Sequence, residues 1–158
     1  MKYSDVYISN HDIDWFCIVN GTYIHVASAG GSLPSQINDD ERLRQTQHQV
    51  GLLQDIYSDN EIEFNEEGIT AAIGNDAKGR VQYVESFAAM ARKGFASFDR
   101  SNIEDPSDNR YHLVCKPNNM DRTPEHVDLP VVNIDGRFPI RRGSDNIDIP
   151  ELLNSNRD

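Results

Sequence analysis

Four side chains near the start of the chain have the types and spacing for acid–base chemistry: His11, Asp12, Asp14 and His25. An aspartate beside an imidazole orients the ring and stabilises its protonated form, which suits a general base. The same pair would also suit a metal ligand, but the spacing His11-Asp12-x-Asp14 is only weakly metal-like. No His-x-x-x-His element accompanies it, so the reading assigns neither a metal nor a cofactor. The plainer reading of His25, placed among Phe16, Ile18 and Tyr23, is a half-buried histidine held by hydrogen bonds.

A second set lies in a long polar stretch and its flanks: Asp99, Arg100, Asn102, Glu104, Asp105, Asp108, Arg110 and His112. Sites are often built on such loops. Arg100 or Arg110 has the planar fork that grips a carboxylate or phosphate. Asp105 and Asp108 carry oxygens for a hard cation, but the glycine and the twelfth-position glutamate of a calcium loop are missing. The plainer reading is a solvated loop with local turns. A third stretch, Gly74-Asn-Asp-Ala-Lys-Gly79, opens a helix but lacks the Lys-Ser/Thr of a phosphate-binding loop. No Gly-x-Ser-x-Gly is present.

The first set is positioned by a hairpin. Two β-rich runs flank Asn20-Gly21, the strongest short-range hairpin signal. A two-residue loop there fixes the register outward, from Val19 opposite Thr22 to Asp14 opposite Ala27. Alternation then puts Trp15, Cys17, Val19, Thr22, Ile24 and Val26 on one face. Asp12, Asp14, Phe16, Ile18, Tyr23, His25 and Ala27 take the other, which turns polar at its open end.

Residues 2–9 read as a short strand. A helix is predicted over 39–57 with Asn38 as its cap and Leu43, Thr46, Val50, Leu53 and Tyr57 as its apolar stripe. Residues 61–73 alternate like a hairpin, with a helix from Asn65 as the rival. A second helix is predicted over 80–93, ending at Gly94. Strands follow at 94–99 and 110–116. Five of the seven prolines lie in the last 42 residues, where 131–140 reads as a small hairpin or extended arm. The expected organisation is therefore a core of residues 1–116 and a Pro-containing arm, 117–158, packed on it and frayed at its end. The fold class is α+β: a mostly antiparallel sheet of four to six strands with two helices packed on one face.

Charge narrows the function. The chain carries a net −11 with a pI of about 4.7. That is a poor footprint for nucleic acid or an anionic membrane surface. Cys17 and Cys115 sit among apolar neighbours and do not form a disulfide framework. There is no apolar leader and no long apolar run, so the expected place is the cytoplasm.

Residues 39–67 hold nine acidic and two basic side chains. This concentration favours a protein-binding or regulatory module, of the inhibitor, immunity or anti-defence kind, that covers a basic protein surface. Asp39, Asp40, Glu61 and Glu63 would be the contact residues, with Asp12, Asp99, Asn102 and His112 as further binding candidates. The alternative is a small hydrolase or group-transfer enzyme in which Asp14 and His25 are the base and Arg100 or Arg110 holds an anion. The oligomeric state is not legible in the sequence.

Overall fold

The Asn20-Gly21 turn forms as its residue types dictate. Both residues adopt positive φ, 48° and 82°, the geometry that matches the twist of the flanking strands. Strands β1 (Asp14–Val19) and β2 (Thr22–Ala27) pair antiparallel in the register that the turn requires, from Val19↔Thr22 to Asp14↔Ala27. The computed structural model describes residues 1–134 and Ile149. Part of the 131–140 expectation and the far end of the chain lie outside the described residues.

The hairpin is the middle of a mixed α+β fold, a mostly antiparallel six-stranded sheet with helices packed against it. The remaining strands are β3 (Ile62–Phe64), β4 (Ala96–Arg100), β5 (Tyr111–Pro117) and β6 (Val131–Val132), in the order β3-β5-β4-β2-β1-β6. Two pairings are parallel: β2 with β4, and β1 with β6. The β4–β5 ladder slips by one residue. Ser97 faces Cys115 but Phe98 faces Leu113, so Val114 is an extra residue in β5.

Four helices are described: α1 (Asp5–Ser9), α2 (Asp40–Leu52), α3 (Glu66–Ile73) and α4 (Ala77–Arg92). Trp15, Cys17, Ile24, Val26, Phe98 and Leu113 form one core with Ile8, Leu33 and Ile37. On the opposite face, Ala27, Val114 and Cys115 pack under Ile69 of α3 and Val84, Phe87, Ala88 and Ala91 of α4. Helix α2 lies along β1, with Leu43 in the first core and Val50 against Phe16 and Phe95. The two cysteines are free, buried and in different cores.

Several local expectations change. Residues 5–9 are helical because Ser4 caps Tyr7 N, while Tyr3, Tyr7 and His11 stack on one another at four-residue spacing. Helix α2 is capped by Asp39, since Asn38 Oδ1 accepts from Tyr3 N instead. The helix also stops at Leu52. The backbone N–H groups of Ile56 and Tyr57 are drawn off to the Arg92 carbonyl, and Tyr57 is buried from there. Residues 61–73 are half strand and half helix: Asn65 caps α3 through Gly68 N and ties it to β5 by donating to Leu113 O.

The turn also fastens the far edge. Asn20 Nδ2 donates to Ile134 O at 3.0 Å, and Asn20 Oδ1 accepts from Ile134 N at 2.9 Å. Asn20→Ala removes both bonds and a residue that tolerates positive φ, and should cost about 2–3 kcal/mol in urea unfolding. Gly21→Ala meets nothing within 4 Å. It should cost only the backbone term, about 1–2 kcal/mol.

Candidate functional site

Strand pairing assembles a polar row on the face under α4. Asp14 of β1 is opposite Ala27 of β2, Ala27 is beside Asp99 of β4, and Asp99 faces His112 of β5. One step along, His25 is beside Ser97. Alternation makes these one face. At the usual strand spacing the backbones of Asp14 and Asp99 are about 10 Å apart, with only the methyl group of Ala27 between them.

Two hydrogen-bonded strings run through this row. In the first, His25 Nε2 donates to Asp14 Oδ1 at 2.9 Å. The imidazole is 3% exposed and the carboxylate 59%. Behind the ring, Ser97 Oγ lies 3.1 Å from His25 Nδ1 and 3.2 Å from the Phe87 carbonyl. A serine rotor here serves either state of the ring. It donates to Nδ1 of a neutral imidazole, or turns to Phe87 O and accepts from an imidazolium. The line superficially matches a Ser-His-Asp triad, but the ends are reversed. Ser97 is fully buried, and the exposed group is the carboxylate. The solvent-facing end of the string is therefore Asp14, with His25 holding it in place.

In the second string, Tyr83 Oη of α4 donates to Asp99 Oδ2 at 2.6 Å and lies 3.0 Å from His112 Nε2. His112 Nδ1 is 2.9 Å from Ser101 Oγ. The other oxygen of Asp99 accepts from Arg100 N. Burial pushes the Asp99 carboxyl up to about 6, opposed by the Tyr83 and Arg100 hydrogen bonds and by His25, and assisted by Asp12. Burial pulls His112 down to about 4. The Tyr83 phenol is raised, by burial first and then by the neighbouring Asp99 charge. Of the two strings, the second thus holds a carboxyl raised well above the usual carboxylate range.

The candidate residues divide. Asp14, His25, Asp99 and His112 come together. Exposed Asp12 caps the adjacent turn, accepting from Ala29 N, and contributes to the field at Asp99. Arg100 leaves β4 toward the opposite face. There it is 4% exposed, and its Nη2 donates to the Asn102 and Asp105 carbonyls. Arg110 sits beyond the end of β4 in an ion pair with Asp108 at 2.7 Å. Asn102 donates to the same Asp108 carboxylate. Among the described residues, no three His, Cys, Asp or Glu side chains converge in a geometry that could hold a metal ion.

The four acidic contact candidates are separated and internally paired. Asp39 and Asp40 face the N-terminal amine, and Asp40 also binds Arg44 at 2.9 Å. Glu61 pairs with Arg122, and Glu63 with Lys116 at 2.8 Å. The first two lie at the start of α2, which runs along β1, whereas Glu61 precedes β3 and Glu63 lies within it, at the other edge of the sheet.

Tyr83, Ser97 and Ser101 escaped the sequence reading. Tyr83 falls four residues before Phe87 on the buried side of α4, where a helical aromatic carries no sign of chemistry. The two serines matter only through neighbours that the strand order supplies.

Asp99 and His112 tilt stability in opposite directions. A carboxyl raised from 3.8 to about 6 holds more protons folded than unfolded, so its contribution falls as pH rises through that window. A histidine lowered from 6.5 to about 4 holds fewer protons folded, so its contribution grows as pH rises. Each is worth roughly 3 kcal/mol across its window. Denaturant unfolding from about pH 4 to 6.5 should therefore show a shallow dependence for the wild type. In Asp99→Asn stability should rise with pH relative to wild type, and in His112→Gln it should fall.

For membrane insertion, no helix among the described residues is long and apolar enough to cross a bilayer. No family model, curated protein or solved structure matches the chain, so any function assigned to it rests on the chemistry of this corner of the sheet.

Proposed function

We propose that the chain is a small hydrolase that uses Asp14 as the base or nucleophile and Asp99 as the general acid. The observation that carries this is the row Asp14–Ala27–Asp99, in which an exposed carboxylate fixed by buried His25 lies two strands away, across Ala27, from a carboxyl raised to about 6. Two carboxyl groups in different environments can divide the roles of acid and base: buried Asp99 is raised toward holding its proton, while Asp14 faces solvent.

The field of the site selects the substrate. Asp12, Asp14 and Asp99 surround it, while Arg100 points to the other face and Arg110 is neutralised by Asp108. A neutral or cationic substrate suits this corner, and a phosphate ester does not. Transfer of the cleaved group to an acceptor other than water would use the same residues. The protein-partner reading has less support, because the acidic residues that would carry it already hold internal cations.

The test is hydrolysis of chromogenic glycosides, carboxylic esters and phosphodiesters by the purified chain. Expected is turnover of a neutral substrate, with kcat/KM falling on the alkaline side above about pH 6 as Asp99 loses its proton. Asp14→Asn and Asp99→Asn should each lose about 10²- to 10⁴-fold. Turnover confined to the phosphodiester, no turnover at all, or rates unchanged in both variants would overturn the proposal.

A further inference from the structure

We infer that Tyr83, His112 and Ser101 form a proton relay that returns a proton to Asp99 from the solvent side of the 101–110 loop. The inference rests on the reading of Asp99 as the acid, which must be reprotonated after each turnover.

Hydrogen-bond bookkeeping fixes the direction of the string. Ionised Asp99 only accepts, so Tyr83 gives it the phenolic proton at 2.6 Å. Tyr83 Oη can then only accept along the string, so His112 Nε2 must carry a hydrogen and donate at 3.0 Å. A ring pulled down to about 4 by burial is neutral near pH 6, so Nδ1 is bare and accepts from Ser101 Oγ at 2.9 Å. Every donor points toward Asp99. When the carboxyl is protonated the logic inverts. Asp99 donates to Tyr83, Tyr83 to Nε2, and Nδ1–H to Ser101.

The step between these two states is balanced. Ser101 takes a proton from a hydronium ion at the surface, which leaves as water, and gives its own to Nδ1. Nε2 gives its proton to Tyr83 Oη, and Tyr83 gives its proton to Asp99 Oδ2. One proton enters and one is delivered. Tyr83 and Ser101 end as they began, and His112 has exchanged tautomers without becoming charged. Ser101 is half-buried, whereas His112 is 3% exposed. The ring is confined on its α3 side, where a Cβ on Gly68 would lie 3.2 Å from His112 Cδ2. The groups facing Asp99 from the surrounding elements are Tyr83 on α4, His112 on β5, His25 on β2, Asp12 before β1 and the Arg100 N–H. Tyr83 is the link that touches both Asp99 and His112. Tyr83, His112 and Ser101 are positioning residues, since Asp99 is the group that meets substrate.

The tautomer of His112 therefore reports the protonation of Asp99, and it can be read without substrate. In ¹⁵N-histidine-labelled protein, long-range ¹H–¹⁵N correlation spectra should show His112 protonated at Nε2 near about pH 7.5 and at Nδ1 near about pH 5. The ring should stay neutral throughout. Tyr83→Phe should abolish the exchange while amide spectra confirm the fold. If that variant does not fold, Asp99→Asn supplies the same test, because its amide does not titrate. One tautomer across the range in the wild type, or an exchange that survives in Tyr83→Phe or Asp99→Asn, would overturn the relay. A chain that exchanges tautomers but hydrolyses nothing overturns the hydrolase reading and leaves the relay in place.

Discussion

Strands β2 and β4 come from distant parts of the chain and run side by side in the same direction. Their parallel pairing is the constraint on which the polar corner depends. It sets Ala27 beside Asp99 and His25 beside Ser97, so a carboxyl from one part of the chain meets a histidine from another. The antiparallel hairpin supplies Asp14, and the antiparallel β5 supplies His112. Helix α4 then closes the face from above and lowers Tyr83 into it. Remove the parallel ladder and the two hydrogen-bonded strings have no common ground.

Placing these groups under a helix costs solvation, and the structure offsets that cost in a particular way. Buried His25 and His112 are each bonded at both ring nitrogens. Among the described residues no arginine or lysine is spent on Asp99, whose two oxygens are held by a phenol and a backbone amide. Neutral donors satisfy the carboxylate without the strong attraction of a buried cation, so its proton affinity stays high. An arginine in place of Tyr83 would satisfy the same oxygen and hold the carboxylate ionised through neutrality. Burial raises the carboxyl, and the choice of neutral partners leaves that rise largely unopposed.

The hairpin was legible to the last pair because Asn20-Gly21 dictates its own turn and the turn dictates the register. From it the adjacency of Asp14 and His25 followed directly. Alternation also bears on Asp99 and Arg100: neighbours on a strand point to opposite faces, so a site on His25's side takes the first and excludes the second. Which side Asp99 takes depends on β4 lying beside β2, and no local pattern encodes that. The acidic stretch has partners that its own composition does not reveal. Local charge counts ignore Arg122 and Lys116, which arrive from elsewhere in the chain to pair with Glu61 and Glu63. The end of α2 was misjudged because Tyr57 keeps the apolar period of the helix while its backbone has already left it.

The extra residue in β5 has a bearing on how this corner came to be composed. With an unbroken ladder continuing from Ser97↔Cys115, Leu113 would stand opposite Asp99 and His112 would turn into the other core. Val114 acts as a spacer that shifts the reading frame of the strand by one. Everything N-terminal to it in β5 changes sides, while Cys115 and the contact with β3 stay where they were. Were Val114 paired with Phe98 instead of bulged, the same sequence would set a leucine beside the buried carboxyl; were Val114 lost, the ladder would straighten and His112 would stay opposite Asp99. The composition of this corner is thus set by how one strand is paired as much as by which residues it holds.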